Sequence, residues 1–153
     1  MINKRYHTGI FLFLAFSFTH CQFVNKPQKQ VEGIVIPDEL FEFTKENNYY
    51  LVKYIEGILA EKPGALKNLV QFDCGGASFC YDLGGVILQT LDKIGEAKMI
   101  ELSAKLNKKT KEKLELLLLF GLEYSDINSK KRKAPGKPNL ALEFPKLHKS
   151  LKQ

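Results

Sequence analysis

The residues between Asp73 and Gly85, Asp-Cys-Gly-Gly-Ala-Ser-Phe-Cys-Tyr-Asp-Leu-Gly-Gly, concentrate the side chains most able to do chemistry. Cys74 and Cys80 stand six apart, and Asp-x-Gly-Gly occurs twice, beginning at Asp73 and Asp82. A redox pair calls for the Cys-x-x-Cys spacing that lowers a thiol pKa at a helix start, and this pair has five residues between its cysteines. A phosphate cradle wants Lys or Ser/Thr directly after its glycines, where this chain has Val86. A calcium loop needs alternating oxygen ligands ending in glutamate, and that series is missing. The favoured reading is structural: a Cys74–Cys80 disulfide closing a tight loop, Asp82 capping a helix, and Gly84 and Gly85 allowing close helix contact.

Other constellations are thinner. The chain has three histidines and three cysteines, too few for a metal cluster, and no metal or cofactor is expected. His148 is the only histidine beyond residue 20, which leaves no Ser-His-Asp or Cys-His arrangement. Glu56, Asp73, Asp82 and Glu123 could act as acid and base, but no spacing singles out a pair. The aromatic cluster Phe41, Phe43, Tyr49, Tyr50 and Tyr54 reads as core.

The N-terminus carries Lys4, Arg5 and His7, then an uncharged, phenylalanine-rich run from Gly9 to Thr19. A helix needs about 20 apolar residues to cross a bilayer, so this run has the proportions of a signal peptide's hydrophobic region. It stops at Cys21. The segment Phe18-Thr19-His20-Cys21 resembles the lipobox of bacterial lipoproteins, with His20 where the pattern has a small residue. The resemblance implies that Cys21 becomes the mature N-terminus and carries acyl chains, which at two or three chains anchor a protein stably to a membrane. Gln22, not aspartate, follows Cys21, which points to the outer rather than the inner membrane of a diderm envelope.

Beyond the leader, charge is uneven: Gln22 to Ile127 is net −3, and Asn128 to Gln153 is net +7. From Pro37 the apolar residues recur at three and four, which is helical spacing. The pattern predicts helices carrying Leu40, Phe41 and Phe43 inward; Leu51, Tyr54, Ile55, Ile58 and Leu59; Ala65 to Phe72; Leu83 to Ile94, stopped by Gly95; Met99 to Leu106; and a final helix capped by Thr110 and running to Leu122. That final helix is apolar nearly all round and should be central. Val31 to Ile36 is the one strand candidate, broken by Gly33, and reads as an extended lead-in.

The expected architecture is all-α: a compact bundle of five or six short helices over 37–127. A signal peptide (1–21) and a tether (22–36) precede it, and a basic linker and tail (128–153) follow, separable from the fold. Lys130, Lys131, Arg132 and Lys133 suit an anionic surface, and the leader argues against a nucleic-acid partner. The expected protein is a non-enzymatic interaction module, lipid-anchored through Cys21 in a bacterial cell envelope, with a protein or envelope-polymer partner. An immunity-type inhibitor of a periplasmic toxin is the alternative, and a small enzyme using carboxylates or thiols around Asp73 to Asp82 a weaker one.

Overall fold

Helical spacing becomes helix through the body of the chain, in a computed structural model that describes residues 26–124 and 137–153. Six helices succeed one another: α1 (Asp38–Phe43), α2 (Asn48–Leu59), α3 (Ala65–Val70), α4 (Ala77–Ile94), α5 (Glu96–Ser103) and α6 (Lys108–Tyr124). Asp38 and Glu39 occupy the first turn of α1, where the helix dipole favours carboxylates. Gly95 ends α4 at φ +82°, a conformation side-chain-bearing residues rarely adopt.

The centre is the α4–α6 pair. A Cβ at Gly84 would overlap the Leu117 carbonyl and lie 2.8 Å from the Gly121 nitrogen; one at Gly121 would lie 2.6 Å from the Gly84 carbonyl carbon. The two backbones therefore touch, as the glycine pair suggested. Leu83, Ile87, Leu91, Leu114 and Leu118 fill the layers around the crossing and are fully buried. The α6 helix is less enclosed than its composition predicts, because Leu116 points outward and stays half exposed. Asn107, not Thr110, caps it: the Thr110 backbone N–H and hydroxyl both donate to Asn107 Oδ1, at 2.9 and 2.8 Å.

Two boundaries differ from the sequence reading. The expected tether contains a β-hairpin, with β1 (Gln30–Val31) and β2 (Ile34–Val35) antiparallel and Val31 opposite Ile34. Gly33 is the turn rather than a break: Glu32 and Gly33 have φ of +50° and +85°, the two positive values that a two-residue type I′ loop needs. Val31, Ile34 and Ile36 are buried, so the folded body begins well before residue 37. Gln89 on α4 satisfies the free edge of β2, accepting from Val35 N–H and donating to Val35 O, both at 2.9 Å.

The second boundary is C-terminal. Helices α7 (Leu140–Glu143) and α8 (Pro145–Leu151) pack on α5 and α6, burying Leu140, Leu147 and Leu151. The Leu147 N–H donates to Glu96 Oε1 at 2.8 Å, and Lys152 Nζ bridges Glu115 Oε2 at 2.7 Å. The segment is part of the fold, because Leu140 on α7 and Leu147 and Leu151, one turn apart on α8, are buried while Leu142 stays exposed. Cys21 and the run Lys130 to Lys133 lie outside the described residues.

Candidate functional site

The Asp73–Gly85 stretch is closed by a disulfide. Cys74 and Cys80 form a disulfide with Cα atoms 5.1 Å apart, tying the loop after α3 to the first turn of α4. Asp73 Oδ1 accepts the Gly75 N–H at 2.9 Å, a local turn that fixes the loop's entry. Gly75, at φ +72°, lies beneath the Phe43 ring, and Phe43 stacks on Phe79 with centroids 4.6 Å apart. That packing holds Phe43 at the rim and not in the core, so it is 45% exposed where the helical spacing put it inward.

Gly76 opens α4, which places Asp82 in the second turn, too deep to cap its own helix. Its carboxylate instead meets the Leu40 backbone amide in the first turns of α1. Burial, and then the nearby Glu39 carboxylate, push the Asp82 pKa up, and the Leu40 amide opposes them. The four carboxylates marked in the sequence lie in four settings: Asp73 in the disulfide loop, Asp82 beside α1, Glu123 beside Tyr124, and Glu56 on a groove. Among the described residues no group of three His, Cys, Asp or Glu side chains could hold a metal ion.

The groove at Glu56 escaped sequence reasoning. It has a volume of about 640 Å³ and lies between the C-terminal ends of α2 and α4, the start of α5 and the hairpin turn. Leu59, Ala60 and Ile94 form its apolar floor, and Glu32, Glu56, Glu61, Lys93 and Lys98 its charged walls. Lys98 Nζ sits 2.8 Å from Glu61 Oε2 and 2.9 Å from Glu101 Oε2. The Glu61 bond first, then the Glu101 bond, hold the Lys98 pKa above its usual range, and the same lysine holds Glu101 below its own. Lys93 reaches the Glu32 carbonyl oxygen across the groove, with Glu32 Oε2 at 3.9 Å.

Glu32 and Glu61 are also the only two non-glycine residues with positive φ among the described residues, at +50° and +55°. Glu61 occupies the position after the α2 C-cap where glycine is the ordinary choice. Its N–H donates to Ile58 O at 3.0 Å and the next N–H, of Lys62, to Gly57 O at 2.7 Å, the paired bonds of a Schellman motif. A side chain in that left-handed conformation costs roughly 1–2 kcal/mol. Glu32 stands likewise in a turn that favours Asn, Asp or Gly. Both strained positions put a carboxylate on the groove wall and bind it to a lysine. A signal was present in the sequence, a glutamate directly before Lys62-Pro63-Gly64 and another before Gly33, but only the fold brings the two together.

No family model matches the chain, and neither the curated proteins nor the solved structures contain a match.

Proposed function

We propose that the protein is a non-enzymatic interaction module of a bacterial cell envelope, anchored by lipid on Cys21, whose partner docks on the groove between α2, α4 and α5. The observation that carries this reading is the pair of strained glutamates on the groove wall. Backbone strain persists where the surrounding structure over-determines it, and such sites cluster at active sites, ligand clamps and switch regions. The groove is open and of mixed sign, with Lys93 and Lys98 each already held by carboxylate or carbonyl oxygens. That arrangement favours a protein or polymer surface carrying both charges, with Glu56 exposed for a cationic group. A small substrate would need more enclosure.

A photo-crosslinking residue at Ala60, incorporated in the full chain in its native envelope, tests the reading. A discrete crosslinked species at Ala60, absent with the same residue at Leu142 and lost on Glu56→Lys, is the expected result. Identical crosslinking from Ala60 and Leu142 would overturn it. Metabolic labelling with a fatty-acid analogue tests the anchor separately: the wild type should label and Cys21→Ala should not.

A further inference from the structure

The point where the chain leaves the body is fixed by two bonds. The Gln28 N–H donates to Asn48 Oδ1 at 2.7 Å, and Asn48 Nδ2 donates back to the Gln28 carbonyl at 3.0 Å. Asn48 is the first residue of α2 and only 1% exposed, so it cannot swing away. The two residues after it, Tyr49 and Tyr50, are 45% and 50% exposed. Tyr50 packs on Tyr54, and Tyr54 on Phe72, so these rings form one continuous aromatic band. Lys53 Nζ lies 5.7 Å from the Tyr49 ring centroid, one turn further along α2.

Seven residue steps separate Cys21 from Gln28. Fully extended, a chain of that length reaches at most roughly 25 Å. A body of this size has a radius of gyration of roughly 13 Å, hence a diameter of roughly 34 Å, above that reach. A tether shorter than the body it holds cannot let every face reach the anchoring surface equally. The face around its exit is held nearest.

We infer that Tyr49, Tyr50 and Lys53 form a membrane-resting face, through which the anchored body sits on the headgroup region of a phospholipid bilayer. The inference rests on the reading of Cys21 as lipid-bearing. Tyrosine suits that depth, because its ring is apolar and its hydroxyl stays among water and headgroups. Lys53 adds an ammonium that can meet lipid phosphates. The groove residue Ala60 stands ten residues beyond Tyr50, about 15 Å further along the α2 axis.

The chain has no tryptophan, so a single substitution supplies a unique fluorophore. Tyr50→Trp and, on the distant α7, Leu142→Trp would be placed in the full chain, purified with its lipid, and reconstituted into phosphatidylethanolamine/phosphatidylglycerol vesicles with brominated acyl chains. Tyr50→Trp should lose about half its emission, as a ring sunk about 5–10 Å into the interface would, and Leu142→Trp should change little. Equal quenching of the two, or none at Tyr50→Trp, overturns the inference. Retained helicity and melting temperature of Tyr50→Trp exclude misfolding as the cause. In a parallel arm, Cys21 of the chain from residue 21 onward is coupled to a maleimide phospholipid; Cys74 and Cys80 are paired, so Cys21 is the reactive thiol. An unquenched Tyr50→Trp in that arm refutes the membrane face whatever the cell does to Cys21. A native chain without acyl mass on Cys21 refutes the anchor reading instead.

Discussion

Replacing Gly84 by alanine tests the central claim about the α4–α6 contact. The added methyl would overlap the Leu117 carbonyl oxygen and come within 2.8 Å of the Gly121 nitrogen, both backbone atoms that no rotamer change can move. An ordinary carbon–oxygen contact is about 3.3–3.6 Å, so the helices must part by roughly an ångström at the crossing. A gap of that size forfeits a quarter to a half of the dispersion energy of each contact it opens. Leu83, Ile87, Leu114 and Leu118 all pack there. Overpacking costs about 1–3 kcal/mol, and the rigid obstacle puts this site at the upper end; alanine's better helix propensity returns about 1 kcal/mol. The net expectation is a loss of about 2 kcal/mol, or roughly 8 °C in Tm for a domain of this size, read by circular dichroism. Gly121→Ala meets the Gly84 carbonyl in the same crossing, so it should cost a similar amount. Because one separation accommodates both methyls, the double variant should lose clearly less than the sum. A Gly84→Ala Tm at or above wild type, or strict additivity in the double variant, would refute backbone contact as the determinant.

Cys74→Ser/Cys80→Ser should fold and melt earlier, by about 2 kcal/mol from the short loop the bond closes; two free thiols in the unfolded, unreduced wild type would refute the pairing. Leu147→Ala should cost about 2–5 kcal/mol in urea unfolding, as a core leucine does, and stopping the chain after Ile127 should lower Tm at least as much; an unchanged Tm would show the docked segment to be dispensable. Asp82→Asn keeps an acceptor for the Leu40 amide and removes the charge. Since folding raises the Asp82 pKa, its contribution to stability is complete below the ordinary value of 3.8 and declines as pH rises from there through the folded value. Asp82→Asn should therefore melt above wild type near about pH 7, with the gap closing on acidification; a gap that widens in acid refutes the assignment. Glu61→Gly should relieve about 1 kcal/mol of backbone strain yet weaken partner capture at Ala60; a variant both more stable and fully competent in crosslinking would sever strain from function.

Much of the fold was legible because helix burial follows a local period. Leu51, Ile55 and Ile58, or Leu83, Val86, Ile87 and Leu91, announce their face without knowledge of what covers it. The errors arise where one local signal has two meanings. Gly33 reads as a break and serves as a turn, since a glutamate beside it conceals the type I′ loop. Phe43 has core spacing but is held at the rim by Gly75, more than thirty residues away in the chain. The groove was invisible because its walls come from residues near 32, 56–61 and 93–98, which share no motif. The docked C-terminal helices carried the right apolar spacing, but a local pattern does not reveal which surface receives it.

That docking also has a bearing on when the fold can close. The Leu147 N–H and the Glu96 carboxylate that receives it are 51 residues apart, and Leu147 and Leu151 seal the side of α5 and α6. While the chain emerges in order from its N-terminus, α4 lacks its main packing partner until α6 has been made. The α5–α6 flank must wait, with Met99 and its neighbours uncovered, until α8 has been made. Completion of the core thus waits on the last residues of the segment, and without them the chain presents an apolar flank.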